Sequence, residues 1–125
     1  MYFTESKSIF QPIAERIQDE ILNGIHQPDA RIPSVREYAA LVEVNANTVM
    51  RSYDLLQTQG IIYNKRGIGY FVAPDAALTI RRLRRENFLH SEADYFFSRL
   101  RLLNITAEEL ANMYQDYLKN NTPQS

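Results

Sequence analysis

Residues 32–51 read IPSVREYAALVEVNANTVMR, and the order of signals within them decides the fold. Ser34 stands three residues before Glu37. A hydroxyl at a helix N-cap accepts from the N3 backbone N–H, and a carboxylate at N3 reaches back to the cap, so this pair predicts a helix start. Val35, Tyr38, Ala39 and Val42 follow at the helical period and give this short helix an inward face. Glu43-Val44-Asn45 reads as a tight turn. Asn45 can cap a further helix that runs to about Gln59, where Gly60 stops it. That helix turns Val49, Tyr53 and Leu56 inward and Asn47, Arg51 and Asp54 outward.

Upstream, Ile9, Phe10, Ile13, Ile17, Ile21 and Leu22 predict a helix over 9–23, ended by Gly24, with a polar turn from His26 to Pro33. Downstream the period changes. Ile61-Ile62-Tyr63 and Tyr70-Phe71-Val72 are β-branched or aromatic runs around the glycine-containing loop 64–69, the signature of a β-hairpin, and Pro74 ends the second strand. After Asp75 the helical pattern returns. Leu89, Ala93, Phe96, Leu100 and Leu103 are spaced 4, 3, 4, 3, as in a packing seam. One long helix is expected over about 76–103, bent near Ser91. Thr106 with Glu109 is a second capping box, and Leu110, Met113, Tyr114, Tyr117 and Leu118 line one face of a last helix. The tail NNTPQS is expected to fray.

The expected fold class is therefore mostly α with a small β-hairpin: a winged helix-turn-helix over residues 1–75, then a two-helix C-terminal dimerisation region over 76–125. Two helices joined by a short turn let the second lie in a DNA major groove while the first braces it. The groove-facing end of the second carries Asn45, Ala46, Asn47 and Thr48, with Arg51 one turn on. Asparagine can bond adenine bidentately, and threonine offers a hydroxyl and a methyl. The helix starts at Ser34 and Asn45 present backbone N–H groups that suit phosphate. Arg36 lies in the first turn of its helix, where a cation opposes the helix dipole, which points to an external anion. Lys65, Arg66 and Gly67 form the wing, with cations beside a residue that lets backbone approach a sugar-phosphate edge.

Three motifs in this order, Ile32–Glu37, Val44–Arg51 and Lys65–Val72, resemble the DNA-binding domain of the GntR family of bacterial regulators. The resemblance covers about residues 9–73, and the brief C-terminal part is similar to the YtrA-like subfamily. It implies that Arg36, Asn45–Thr48, Arg66 and Gly67 contact DNA, and that the C-terminal helices form a homodimer. Many family members carry arginine or proline where this chain has Ala46, and often arginine where it has Met50, so the operator cannot be copied from relatives. The dimer contacts expected are Leu89, Ala93, Phe96, Leu100 and Leu103, with Leu110, Tyr114 and Tyr117 from the last helix.

Composition excludes several classes. Without cysteine there is no disulfide, thiolate metal site or cysteine nucleophile. The N-terminal MYFTESKS is not a signal peptide, and no apolar run suits a membrane span. A cytoplasmic protein is expected, with no membrane partner. His26 and His90 lack ligand spacing, so neither a metal nor another cofactor is expected. No nucleophile stands beside a base, so the chain reads as no enzyme. A small-molecule effector is not legible, and the clustered aromatics read as dimer core rather than as its pocket. The net charge of −1 is unusual for a DNA binder, and motivates a competing reading: an interaction module built on a winged helix that no longer binds DNA. The Arg81–Arg85 run reads as a solvated helix face.

Overall fold

The computed structural model describes residues 5–121, with side chains from residue 10 onward. The inward placement of Ile9 and the end of the tail, 122–125, lie outside the described residues. In chain order the elements are α1 (Glu5–Leu22), α2 (Val35–Val42), α3 (Ala46–Thr58), β1 (Ile62–Lys65), β2 (Gly69–Val72), α4 (Ala76–Asn87), a π-helical turn (Phe88–Glu92), α5 (Ala93–Leu102) and α6 (Ala107–Asn120). The chain forms two compact units that divide between Leu83 and Arg84.

The first unit is built around α3. Val49, Tyr53 and Leu56 are fully buried, as their spacing requires, and meet Ala14, Ile17 and Ile21 of α1 and Tyr38 and Ala39 of α2 in one core. Ser52 is the unforeseen member of that inward face. It is fully buried, and its hydroxyl lies 2.8 Å from the Phe10 carbonyl and 3.0 Å from the Thr48 carbonyl. A buried hydroxyl needs such partners, and here they tie α3 to α1. Gly60 ends α3 as expected. Its φ of +80° is open to glycine at no steric cost, and it directs the N–H groups of Gly60 and Ile61 back to Gln57 and Leu56 at 3.0 and 2.9 Å.

The hairpin is longer than its apolar runs suggest. Ile62 pairs with Val72, Tyr63 with Phe71, Asn64 with Tyr70 and Lys65 with Gly69, leaving only Arg66–Ile68 as the connection. Arg31 forms a bridge with Phe71 on the free edge of β2, flanked by the Ile32 N–H to Tyr70 carbonyl and Val72 N–H to Ala30 carbonyl bonds, both 2.9 Å. The first turns of α4 close this unit, since Ala76 and Ile80 are buried in the same core.

In the second unit the helix expected over 76–103 is interrupted at the expected place. The π-helical turn Phe88–Glu92 replaces a simple bend, and the Ser91 hydroxyl donates to the Asn87 carbonyl at 2.7 Å. A side-chain hydroxyl that competes for a helix carbonyl is a recognised way to disturb the ladder. Asn104, at φ +59°, reverses the chain after α5. The Thr106–Glu109 capping box then starts α6: the Glu109 N–H reaches the Thr106 hydroxyl at 3.1 Å and Glu109 Oε1 accepts the Thr106 N–H at 3.0 Å.

Candidate nucleic-acid interface

Each start of the two short helices is fixed by its own side chains. Ser34 Oγ accepts the Glu37 N–H at 3.1 Å, and Glu37 Oε1 accepts the Ser34 N–H at 2.8 Å. The second of these, from the Ser34 N–H to the charged carboxylate, is the first cause that holds the Glu37 carboxyl below its ordinary range. The two bonds also consume two of the donors at this helix start, leaving the N–H groups of Val35 and Arg36 for an outside acceptor. Asn45 Oδ1 accepts the Asn47 N–H at 2.7 Å, so Asn45 serves first as the cap of α3. The turn between the helices needs Glu43 at φ +58°.

α3 is held rigidly beneath these caps. The Tyr53 hydroxyl donates to the Pro33 carbonyl at 2.6 Å, and its ring meets the edge of Tyr70 at 5.0 Å and Tyr38 at 6.3 Å. α3 is thereby tied to the segment before α2, to α2 itself and to the hairpin. Burial, before any neighbouring charge, pushes the Tyr53 hydroxyl well above its usual range, and pushes Tyr38 up to about 12 with the help of Glu20. Glu20 accepts from Tyr38 at 3.1 Å and also meets His26 Nε2 at 2.8 Å and Arg16 at 3.4 Å. His26 thus belongs to a protein-internal network, and no group of metal-ligating side chains occurs among the described residues.

On this frame Ala46, Asn47 and Arg51 are exposed along α3, Thr48 is half-buried, and Met50 is 40% exposed. Ser34 is half-buried and Arg36 is exposed on α2. At the hairpin, Arg66 and Gly67 occupy the tip, with Gly67 at φ +79°. Lys65 differs from its expected tip position. It ends β1, and its Nζ lies 4.6 Å from the centre of the Phe71 ring, an attraction that holds the ammonium over the hairpin's outer face. Arg31, which no local motif marks, is exposed beside Gly69. Among the described residues none of Arg31, Arg36, Arg51 and Arg66 makes an ion pair. A net charge of −1 does not exclude a locally positive surface here, because charge placement rather than the total sets the local field.

The candidate dimer residues lie in the second unit. Among its described residues only Ala93 is buried. Leu100 and Leu110 are half-buried, while Leu89, Phe96, Leu103, Tyr114 and Tyr117 are 45–61% exposed. Leu89 lies within the π-helical turn, whose wider turn changes the angular spacing between Leu89 and Ala93 from that of an α-helix. Phe97, by contrast, faces the open groove between α5 and α6 beside Phe96, Leu110 and Tyr114.

A family model described as bacterial regulatory proteins, gntR family, matches residues 10–72. The repressor YtrA of Bacillus subtilis is 36% identical over 60% of this chain and 58% of its own length. The chain spans less still, 14%, of a matched regulator from Escherichia coli. A GntR-family transcriptional regulator from Bacteroides thetaiotaomicron has a crystal structure that superposes with a TM-score of 0.82 at 51% identity, over 90% of this chain and 97% of that one. The DNA-binding domain of AraR in complex with operator ORR3 superposes with a TM-score of 0.50 at 28% identity, over 58% of this chain and 83% of that one. These relatives are regulators rather than enzymes.

Proposed function

The chain belongs to the GntR family of bacterial regulatory proteins, and on that premise we propose that it is a cytoplasmic homodimeric repressor whose two α3 helices read the half-sites of a near-palindromic operator. The observation that carries the DNA part is the set of exposed arginines without acidic partners, Arg36, Arg51 and Arg66, on the helix pair and hairpin of a winged helix-turn-helix. Asn47 and Thr48 read base edges, Arg51 supports them from the next turn, and Arg36, Arg66 and the backbone at Gly67 hold phosphate or sugar. Ser34 and Asn45 set the helix starts. Ala46 and Met50 make the recognition helix less basic than in many relatives, so the reading falls to Asn47. AraR's complex with its operator and the repressor role of YtrA support this assignment.

The dimer is carried by the second unit. Eleven large apolar side chains between residues 88 and 118 are at least 45% exposed, and a helix pair with so little interior needs a second copy to bury them. Residues 76–125 form the dimerisation region in this reading. The test is salt-dependent anisotropy with a duplex from the gene's own upstream region, alongside sedimentation of the free protein. A dimer that prefers this duplex over random DNA is expected. A dimer indifferent to all DNA would shift the assignment to an interaction module, and a monomer at micromolar concentration would remove the dimer.

A further inference from the structure

We propose that Arg31 is a phosphate-binding side chain of the hairpin, a third cation beside Lys65 and Arg66, seated there because Gly69 has no side chain. The inference rests on the DNA-binding reading above and adds to it a residue that neither the local motifs nor the capping signals single out.

The pairing fixes where Arg31 points. The hydrogen bonds of the Arg31–Phe71 bridge come from Ile32 and Val72 on either side, so Arg31 and Phe71 face each other as a non-hydrogen-bonded pair, the arrangement in which opposed side chains stand closest. Opposed residues share a face of the sheet. Ile62 and Val72 are buried and Tyr70 meets Tyr53, so the other face, with Tyr63, Lys65, Gly69, Phe71 and Arg31, is the outer one. Tyr63 and Phe71 stack on it at 5.7 Å. Gly69 is the diagonal neighbour of Arg31, one row nearer the tip. A Cβ at Gly69 would lie 2.8 Å from Arg31 Nε and 3.4 Å from Nη2. The guanidinium therefore lies across Gly69, in the space a side chain would fill, and extends toward the turn.

Arg31 makes no ion pair among the described residues. Glu37 is near enough for Arg31 to help lower its carboxyl, but that carboxylate is bound to the Ser34 N–H at 2.8 Å. Lys65, over the Phe71 ring, puts a second cation on the same face. Arg31 thus joins the start of α2, where Arg36 stands, to the basic hairpin. A guanidinium seated on a hairpin face suits a phosphate, which it can grip with two parallel N–H bonds, better than a base edge deep in a groove.

The test uses the full-length protein with the upstream duplex and a random duplex, measuring Kd across a salt series for the wild type, Arg31→Gln, Arg31→Lys and Arg66→Ala. Arg31→Gln is expected to weaken both duplexes by a similar, several-fold factor. It should also make the slope of log K against log salt shallower by about 0.9 for each subunit that loses a contact. Arg31→Lys should keep the slope, since a point charge still displaces the counterion. A wild-type slope in Arg31→Gln overturns the inference. If Arg66→Ala is then still shallower, the DNA role of the hairpin stands without Arg31; if it too is unchanged, that role falls as well. A slope equally shallow in Arg31→Lys and Arg31→Gln would assign Arg31 to packing of the hairpin and also overturn the inference.

Discussion

Tyr53→Phe removes one oxygen and nothing else from the centre of the first unit. The ring is fully buried and stays in contact with Tyr38 and Tyr70, while the hydroxyl's bond to the Pro33 carbonyl at 2.6 Å is lost. The net value of a neutral hydrogen bond is about 1 kcal/mol, and a stranded buried acceptor adds up to about 2 more, so the substitution should cost about 1–3 kcal/mol. Urea unfolding followed by circular dichroism at fixed protein concentration should show a lower midpoint with an unchanged m-value. A second readout comes from pH. Burial raises the folded-state pKa of Tyr53 above its ordinary value of 10.0, so the folded protein holds this proton where the unfolded chain releases it. The associated stability is complete below pH of about 10 and is lost as pH rises toward the folded value. The wild type should therefore weaken in alkali through Tyr53 and Tyr38 together, and Tyr53→Phe should weaken less steeply. A cost under about 0.5 kcal/mol, with an alkaline limb identical to wild type, would refute the claim that this hydroxyl anchors α3 in the core.

Asn47→Ala should cost about 1–3 kcal/mol of operator binding and relax discrimination at one base pair per half-site; equal weakening on random DNA would leave Asn47 as a structural residue of the helix start. On the homodimer reading, Phe96→Glu, which places charge on the exposed face of α5, should give a monomer in sedimentation and lower operator affinity about 100-fold or more, since the second half-site is then no longer tethered. Ser34→Ala should destabilise by about 1 kcal/mol at neutral pH. Because Glu37 is held below its ordinary value of 4.5, the stability it contributes is present above that value and lost as pH falls through the lowered one. Glu37→Gln, which removes the titrating group, should accordingly flatten the acid limb of stability measured by urea melts between pH of about 3 and 7, whereas Ser34→Ala, which keeps the Ser34 N–H bonded to the carboxylate, should largely preserve it.

Where a residue's role is set by its chain neighbours, the sequence alone was sufficient. Both capping boxes, at Ser34 and Thr106, could be placed to the residue because their partners lie three positions away. The inward triad Val49, Tyr53 and Leu56 followed from the helical period. The ends of the hairpin did not, because Asn64 and Lys65 join the ladder through backbone groups that carry no side-chain signature. α1 starts at Glu5 rather than 9, and Glu5, Ser6, Lys7 and Ser8 offer no apolar side chain for periodicity to mark. Arg31 was illegible for a different reason: its pairing with Phe71 spans the chain between them, and no local pattern announces a contact made by the return of a distant segment. In the second unit the spacing of Leu89 to Leu103 was legible, whereas the π-helical turn that shifts its phase was visible only as a bend.

The near-absence of buried side chains in the second unit, where Ala93 alone is enclosed among the described residues, makes the protein's abundance a structural variable. On the homodimer reading, the free energy that orders α5 and α6 comes from association, and each tenfold dilution removes about 1.4 kcal/mol of it. A dilute chain presents these helices with their apolar faces in water, open to fraying and to proteases, while the first unit keeps its own core. Occupied operators then rise with roughly the square of chain concentration at low dose. A modest change in synthesis or degradation would be amplified at the promoter without any ligand, and the same helices that pair the subunits would set the lifetime of the unpaired ones.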